Sequence, residues 1–105
     1  MREGAAEFRR QGVSKMKALP ENVAAYKKTP EFDEATVPNG LLNSHQTKEG
    51  VWGKIVILEG QLQYRIIDPE EILLLDVSNY GVVEPTVLHD VKPQGKVRFY
   101  VEFYR

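Results

Sequence analysis

The side chains with the widest chemical range in this chain are its two histidines, His45 and His89. Neutral imidazole is a common ligand for divalent metals, and two imidazoles converging from different strands begin a site. Two ligands do not complete one. A catalytic zinc ordinarily takes three protein ligands plus water, and a non-haem iron takes two histidines and a carboxylate. The carboxylates available to complete the set are Glu49, Glu84 and Glu102. Glu49 reads as an exposed turn residue and Glu84 as a loop cap. Glu102 stands amid Phe99, Tyr100, Val101, Phe103 and Tyr104, where a charge needs water, a partner or a metal. A solvated strand face accounts for it equally well. His45, His89 and Glu102 are therefore the candidate metal ligands, for zinc, iron or nickel.

Trp52, beside Gly53 at a strand start, is a candidate ligand-stacking residue because indole is amphipathic and common in pockets. Packing in the core, or over one end of a barrel, explains Trp52 as well. Tyr64, Tyr100 and Tyr104 carry the same two readings, and Trp52 and Tyr100 are taken as the candidate ligand-binding aromatics. Other chemistries find no support. There is no Ser–His–Asp order, no paired-acid signature and no glycine-rich phosphate loop. Gly50, Gly53 and Gly60 are spaced like turn and bulge glycines. The absence of cysteine excludes a disulfide scaffold, an iron–sulfur site, a thiolate zinc site and a cysteine nucleophile.

These residues must be held by something, and the chain of 105 residues is the size of one domain. Its 14 basic and 15 acidic residues give a net charge of -1, which offers nucleic acid no electrostatic footing. After Trp52 no apolar run is longer than Ile55 to Leu58, which is too short to cross a bilayer. Arg2, Arg9 and Arg10 have no apolar stretch behind them, so the amino terminus does not read as a secretory signal. A cytoplasmic setting is the expectation. Residues 1–15 are mostly polar with one aromatic side chain, Phe8, and read as a flexible extension to a domain over 16–105.

Prolines 20, 30 and 38 break the early chain and leave room for a short strand at Val23–Tyr26. Pro38-Asn39-Gly40 is a turn signal. From there the pattern predicts strands throughout: Leu41–Thr47, Val51–Leu58, Gln61–Ile66, Ile72–Val77, Val82–Val83, Val87–Val91 and Val97–Tyr104. Lys48-Glu49-Gly50 is a tight turn and Glu59-Gly60 a hairpin turn. Asp68 to Glu71 is a loop, and Asn79-Tyr80-Gly81 and Pro93-Gln94-Gly95 are further turns. The last strand alternates Val97, Phe99, Val101 and Phe103 against Arg98, Tyr100, Glu102 and Tyr104. Many short strands separated by turns predict an all-β sandwich or barrel.

Three stretches carry a resemblance: Met16-Lys-Ala-Leu-Pro-Glu-Asn-Val, His45-Gln-Thr-Lys-Glu-Gly-Val-Trp-Gly and Val83-Glu-Pro-Thr-Val-Leu-His89. Together they resemble the small TehB/YeaR-like domain family over residues 16–105. The resemblance implies a cupin-like fold, a double-stranded β-helix or jelly-roll barrel. It aligns His45 with the first histidine of the cupin metal motif, Gly60 with its closing glycine and His89 with the last histidine. Thr47 stands where a second histidine belongs, and Trp52 or Gly53 where a glutamate belongs. Two of four usual ligands therefore remain. The methyltransferase activity of TehB proteins sits in a separate domain, so the resemblance implies none for this chain.

Three functions follow as expectations. The first is a module that binds a divalent metal or small ligand in the barrel, linked by resemblance to tellurite or related oxyanion stress. The second is a metal-dependent oxygenase or isomerase, which needs Glu102 as third ligand and an open coordination position. The third is a ligand-free barrel that forms a homodimer through the edge of its apolar final strand. No nucleic acid or membrane partner is expected.

Overall fold

The computed structural model describes residues 18–105; the predicted extension over 1–15 lies outside them. The elements are β1 (Ala25–Lys28), β2 (Phe32–Asp33), the single helical turn α1 (Asn39–Leu42), β3 (Trp52–Ile66), β4 (Glu71–Leu75), β5 (Gly81–Val83) and β6 (His89–Tyr104). All strand pairings are antiparallel. The fold is all-β and cupin-like. Its spine is the pair β3–β6, matched from Trp52↔Tyr104 at one end to Ile66↔His89 at the other. β5 lies against the first half of β3 and β4 against its second half. β1 and β2 lie along the far side of β6.

β3 and β6 are each longer than the sequence pattern predicts, and this corrects two expected turns. Glu59-Gly60 is not a hairpin. The register steps from Ile57↔Phe99 to Glu59↔Arg98, so β3 advances two residues while β6 advances one. That bulge switches the inward face of β3 from Gly53, Ile55 and Ile57 to Leu62 and Tyr64. Pro93-Gln94-Gly95 is likewise not a turn. β6 runs through it, and its extra residues are absorbed between Gly60↔Val97 and Leu62↔Pro93. Both strands bend at the same level, where Gly60 (φ 81°) and Gly95 (φ 79°) adopt the left-handed backbone that a bulge demands.

Residues Leu41–Thr47 do not form the predicted strand. Pro38 supplies an extended N-terminal flank to α1 (φ -63°, ψ 145°), and the Asn43 side chain donates to the Asn39 carbonyl at 2.8 Å, closing one helical turn in place of a ladder. The early strand lies at Ala25–Lys28, two residues beyond its expected start. Lys48-Glu49-Gly50 does turn as expected, with Val51 N donating to Lys48 O at 3.0 Å and Gly50 at φ 81°.

The core gathers Ile55, Ile57, Leu62, Tyr64, Leu75, Phe99 and their neighbours between the inward faces of the sheet. Phe99 is fully buried and meets Phe32 edge-on at 5.7 Å. Burial of a side chain this size stabilises by about 2–3 kcal/mol. β6 is flanked by β3 on one side and by β1 and β2 on the other, so the final strand is not the free edge expected for dimer pairing. Among the described residues, no helix is long and apolar enough to cross a membrane.

Candidate functional site

His89 opens β6, while His45 sits in the irregular segment between α1 and β3. An isolated antiparallel bridge joins them: each backbone N–H donates to the other's carbonyl at 2.9 Å. Thr86 N donates to Thr47 O at 3.1 Å and extends the seam by one more bond. The bridge places the imidazoles together, with ring centroids 4.1 Å apart and planes inclined by 57°. Tyr64 packs edge-on to His89 at 5.5 Å, and its hydroxyl donates to Val82 O at 3.2 Å.

Each imidazole is anchored in the same way. Nδ1 of His45 lies 2.9 Å from Asn43 O, and Nδ1 of His89 lies 2.9 Å from Val87 O. A carbonyl only accepts, so both Nδ1 atoms carry the proton and donate. The neutral form of each ring therefore presents Nε2 as a bare lone pair. No protein group among the described residues bonds either Nε2. His89 is 3% exposed. Burial, opposed by its bond to Val87 O and reinforced by the neighbouring His45, holds its pKa below the ordinary histidine value.

Both rings line a cavity of about 310 Å³. Its walls are apolar, with Ile55, Val83, Val91, Phe99, Val101 and Phe103 contributing. A few polar groups on a largely apolar concavity are the usual character of small-molecule sites, and this volume is at the small end of their range.

The other expected site residues lie elsewhere. Glu102 and Tyr100 alternate with Phe99, Val101 and Phe103 along β6 and do not line the cavity; a strand presents successive side chains to opposite faces. Trp52 stands directly opposite Tyr104 and alternates with the cavity-lining Gly53. On that outer face Tyr104 donates to Glu102 at 2.8 Å, Lys28 lies over the Tyr100 ring and Lys54 over Tyr80. Among the described residues no three His, Cys, Asp or Glu side chains gather as a metal site. The chain thus brings His45 and His89 together without Glu102, and the donor set of the expected metal centre is incomplete. Lys27 and Lys48, which border the cavity, escaped sequence reasoning. Their signal was weak: one belongs to a lone lysine pair and the other to a turn.

The model of the TehB-like domain matches residues 27–101. The uncharacterised protein YeaR of Escherichia coli K12 is 21% identical over 99 residues, covering 85% of this chain and 83% of YeaR. The crystal structure of TehB from Haemophilus influenzae superposes with a TM-score of 0.71 at 24% identity, over 80% of this chain and 32% of that one. This chain thus spans about a third of TehB. A cupin-2 domain protein of Shewanella frigidimarina gives a TM-score of 0.50 at 16% identity, covering 81% of this chain and 72% of that one.

Proposed function

The chain belongs to the TehB-like domain family, and from that premise we propose that it is a cytoplasmic small-molecule-binding module whose pocket is the cavity beneath His45 and His89. One observation carries this reading: two imidazoles, fixed by the backbone and by their Nδ1 bonds, line an apolar cavity with neither Nε2 bonded by a described residue. Rigid acceptors on an apolar wall orient a ligand at little entropic cost. A resident divalent metal would take the same two nitrogens, yet no third protein donor joins them among the described residues. The reading therefore favours a ligand with a hydroxyl to donate, organic or a protonated oxyanion, over a metal. The family resemblance makes tellurite one of the ligands to try.

The test is a titration of the purified full chain with tellurite, short carboxylates and phenols, followed by amide chemical shifts and melting temperature. A ligand of this pocket raises the melting temperature and shifts His45, His89 and Phe99 together. Shifts confined to the outer face around Trp52 would refute the proposal. Near-stoichiometric metal in the purified chain, lost in both His45→Ala and His89→Ala, would replace it with a metal site.

A further inference from the structure

Among the described residues, every charged side chain that lines the cavity is basic. Lys27 stands on β1 directly opposite the cavity-lining Phe103, and Lys48 lies in the turn that leads into β3. Among the described residues no Asp or Glu lines the space. Asp90, next to His89 in sequence, is engaged by Arg65, whose Nη2 donates to Oδ2 at 2.6 Å. Glu102 lies on the outer face of β6, bonded by Tyr104. A cavity bordered by two lysines and, among the described residues, by no carboxylate attracts anions.

The imidazoles add a second requirement. With Nδ1–H donated to the chain's own carbonyls, neutral Nε2 accepts and cannot donate. A bare carboxylate against it meets lone pair with lone pair. A hydroxyl there donates and is satisfied. The remaining lining, Val83, Val91, Phe99, Val101 and Phe103, suits hydrocarbon.

Resting on the small-molecule reading above, we propose that the ligand is a hydroxycarboxylic acid. Its carboxylate pairs with Lys27 and Lys48, its hydroxyl donates to an imidazole Nε2, and its hydrocarbon body lies on the apolar wall.

Three probes separate the parts of this claim on the full chain: 4-hydroxybenzoate, benzoate and 4-methylphenol, titrated calorimetrically and by amide chemical shift. 4-Hydroxybenzoate binds tightest, and added salt weakens it. The double variant Lys27→Met, Lys48→Met lowers its affinity about fivefold or more while 4-methylphenol is unchanged. Both lysines are exposed, so an unaltered melting curve verifies the fold. If 4-methylphenol binds as tightly as 4-hydroxybenzoate and the lysine variant changes nothing, the anion assignment is overturned and the pocket stands. Equal affinity for benzoate and 4-hydroxybenzoate overturns the hydroxyl assignment. Absence of any shift at Val91, Phe99 and Val101 with all three probes overturns the pocket reading itself.

Discussion

His45 and His89 are brought together by a backbone bridge, and each ring is anchored by its Nδ1 bond to a carbonyl. Because each donates its N–H to the other's carbonyl at 2.9 Å, the ring separation of 4.1 Å is set before any ligand arrives. A site built this way is pre-organised, since its two acceptors need no further ordering on binding. The same bridge seats His89 deep in the protein while His45 stays partly exposed.

His89 makes stability depend on pH near neutrality. Its folded pKa is lowered, chiefly by burial, so the unfolded chain takes up a proton that the folded chain resists. Stability from this group is complete above the unfolded value of about 6.5 and is lost as pH falls below it. The melting temperature should therefore decline between about pH 7 and pH 5, before most carboxylates titrate. Thermal melts across this range check it, with His89→Gln expected to give a flatter profile than the parent. An equally steep decline in His89→Gln would assign the effect to another group.

Glu102→Gln should leave ligand binding unaltered. The carboxylate lies on the face of β6 opposite Phe99, Val101 and Phe103 and accepts from Tyr104. Burial, together with that bond, holds the Tyr104 phenol above its ordinary pKa. The substitution should lower the Tyr104 pKa, read by its ultraviolet titration, with pocket affinity within about twofold of the parent. A large loss of affinity would restore Glu102 to the site.

Much of this arrangement was legible in the sequence, and the remainder was hidden for a physical reason. Alternation over Val97–Tyr104 separates Phe99, Val101 and Phe103 from Tyr100 and Glu102, and the structure keeps that separation. The same alternation places Glu102 on the face away from Phe99 and Val101, which the expectation of Glu102 as a third metal ligand did not take into account. Gly60 and Gly95 were recognised as special positions, but positive φ serves a hairpin turn and a bulge equally. Which one forms is decided by the opposite strand, far along the chain. The seam at His45 and His89 is a single bridge, without the periodicity that marks a strand. The helical turn at Asn39–Leu42 replaced a predicted strand because Asn43 bonds its own backbone locally.

Gly60→Ala tests the bulge. At φ 81° a Cβ is disfavoured, and one placed here would intrude on the Lys96 carbonyl oxygen of the facing strand. Backbone cannot swing aside as a flexible side chain does. The expected cost is about 2 kcal/mol or more, measured by denaturant unfolding. Gly50→Ala has the same positive φ, but its Cβ meets open space, so it should cost only about 1 kcal/mol. Equal losses at both positions would show that close packing of β3 on β6 at the bulge contributes nothing beyond the local φ.

Thr86 tests the seam that carries the histidines. It is the one non-glycine residue at positive φ among those described (63°), and its N–H donates to Thr47 O. A β-branched residue in this region is strained by about 1–3 kcal/mol. Its exposed hydroxyl bonds only the adjacent Pro85 carbonyl, which returns little of that cost. Thr86→Gly should therefore raise stability by about 0.5–1 kcal/mol despite glycine's larger unfolded-state entropy. Because the bond to Thr47 uses the backbone, the histidine bridge should survive, with ligand affinity unaltered. Hydrogen exchange at the His45 and His89 amides reads this directly. Faster exchange at both, without a matching fall in global stability, would mean that the Thr86 side chain is needed to close the seam.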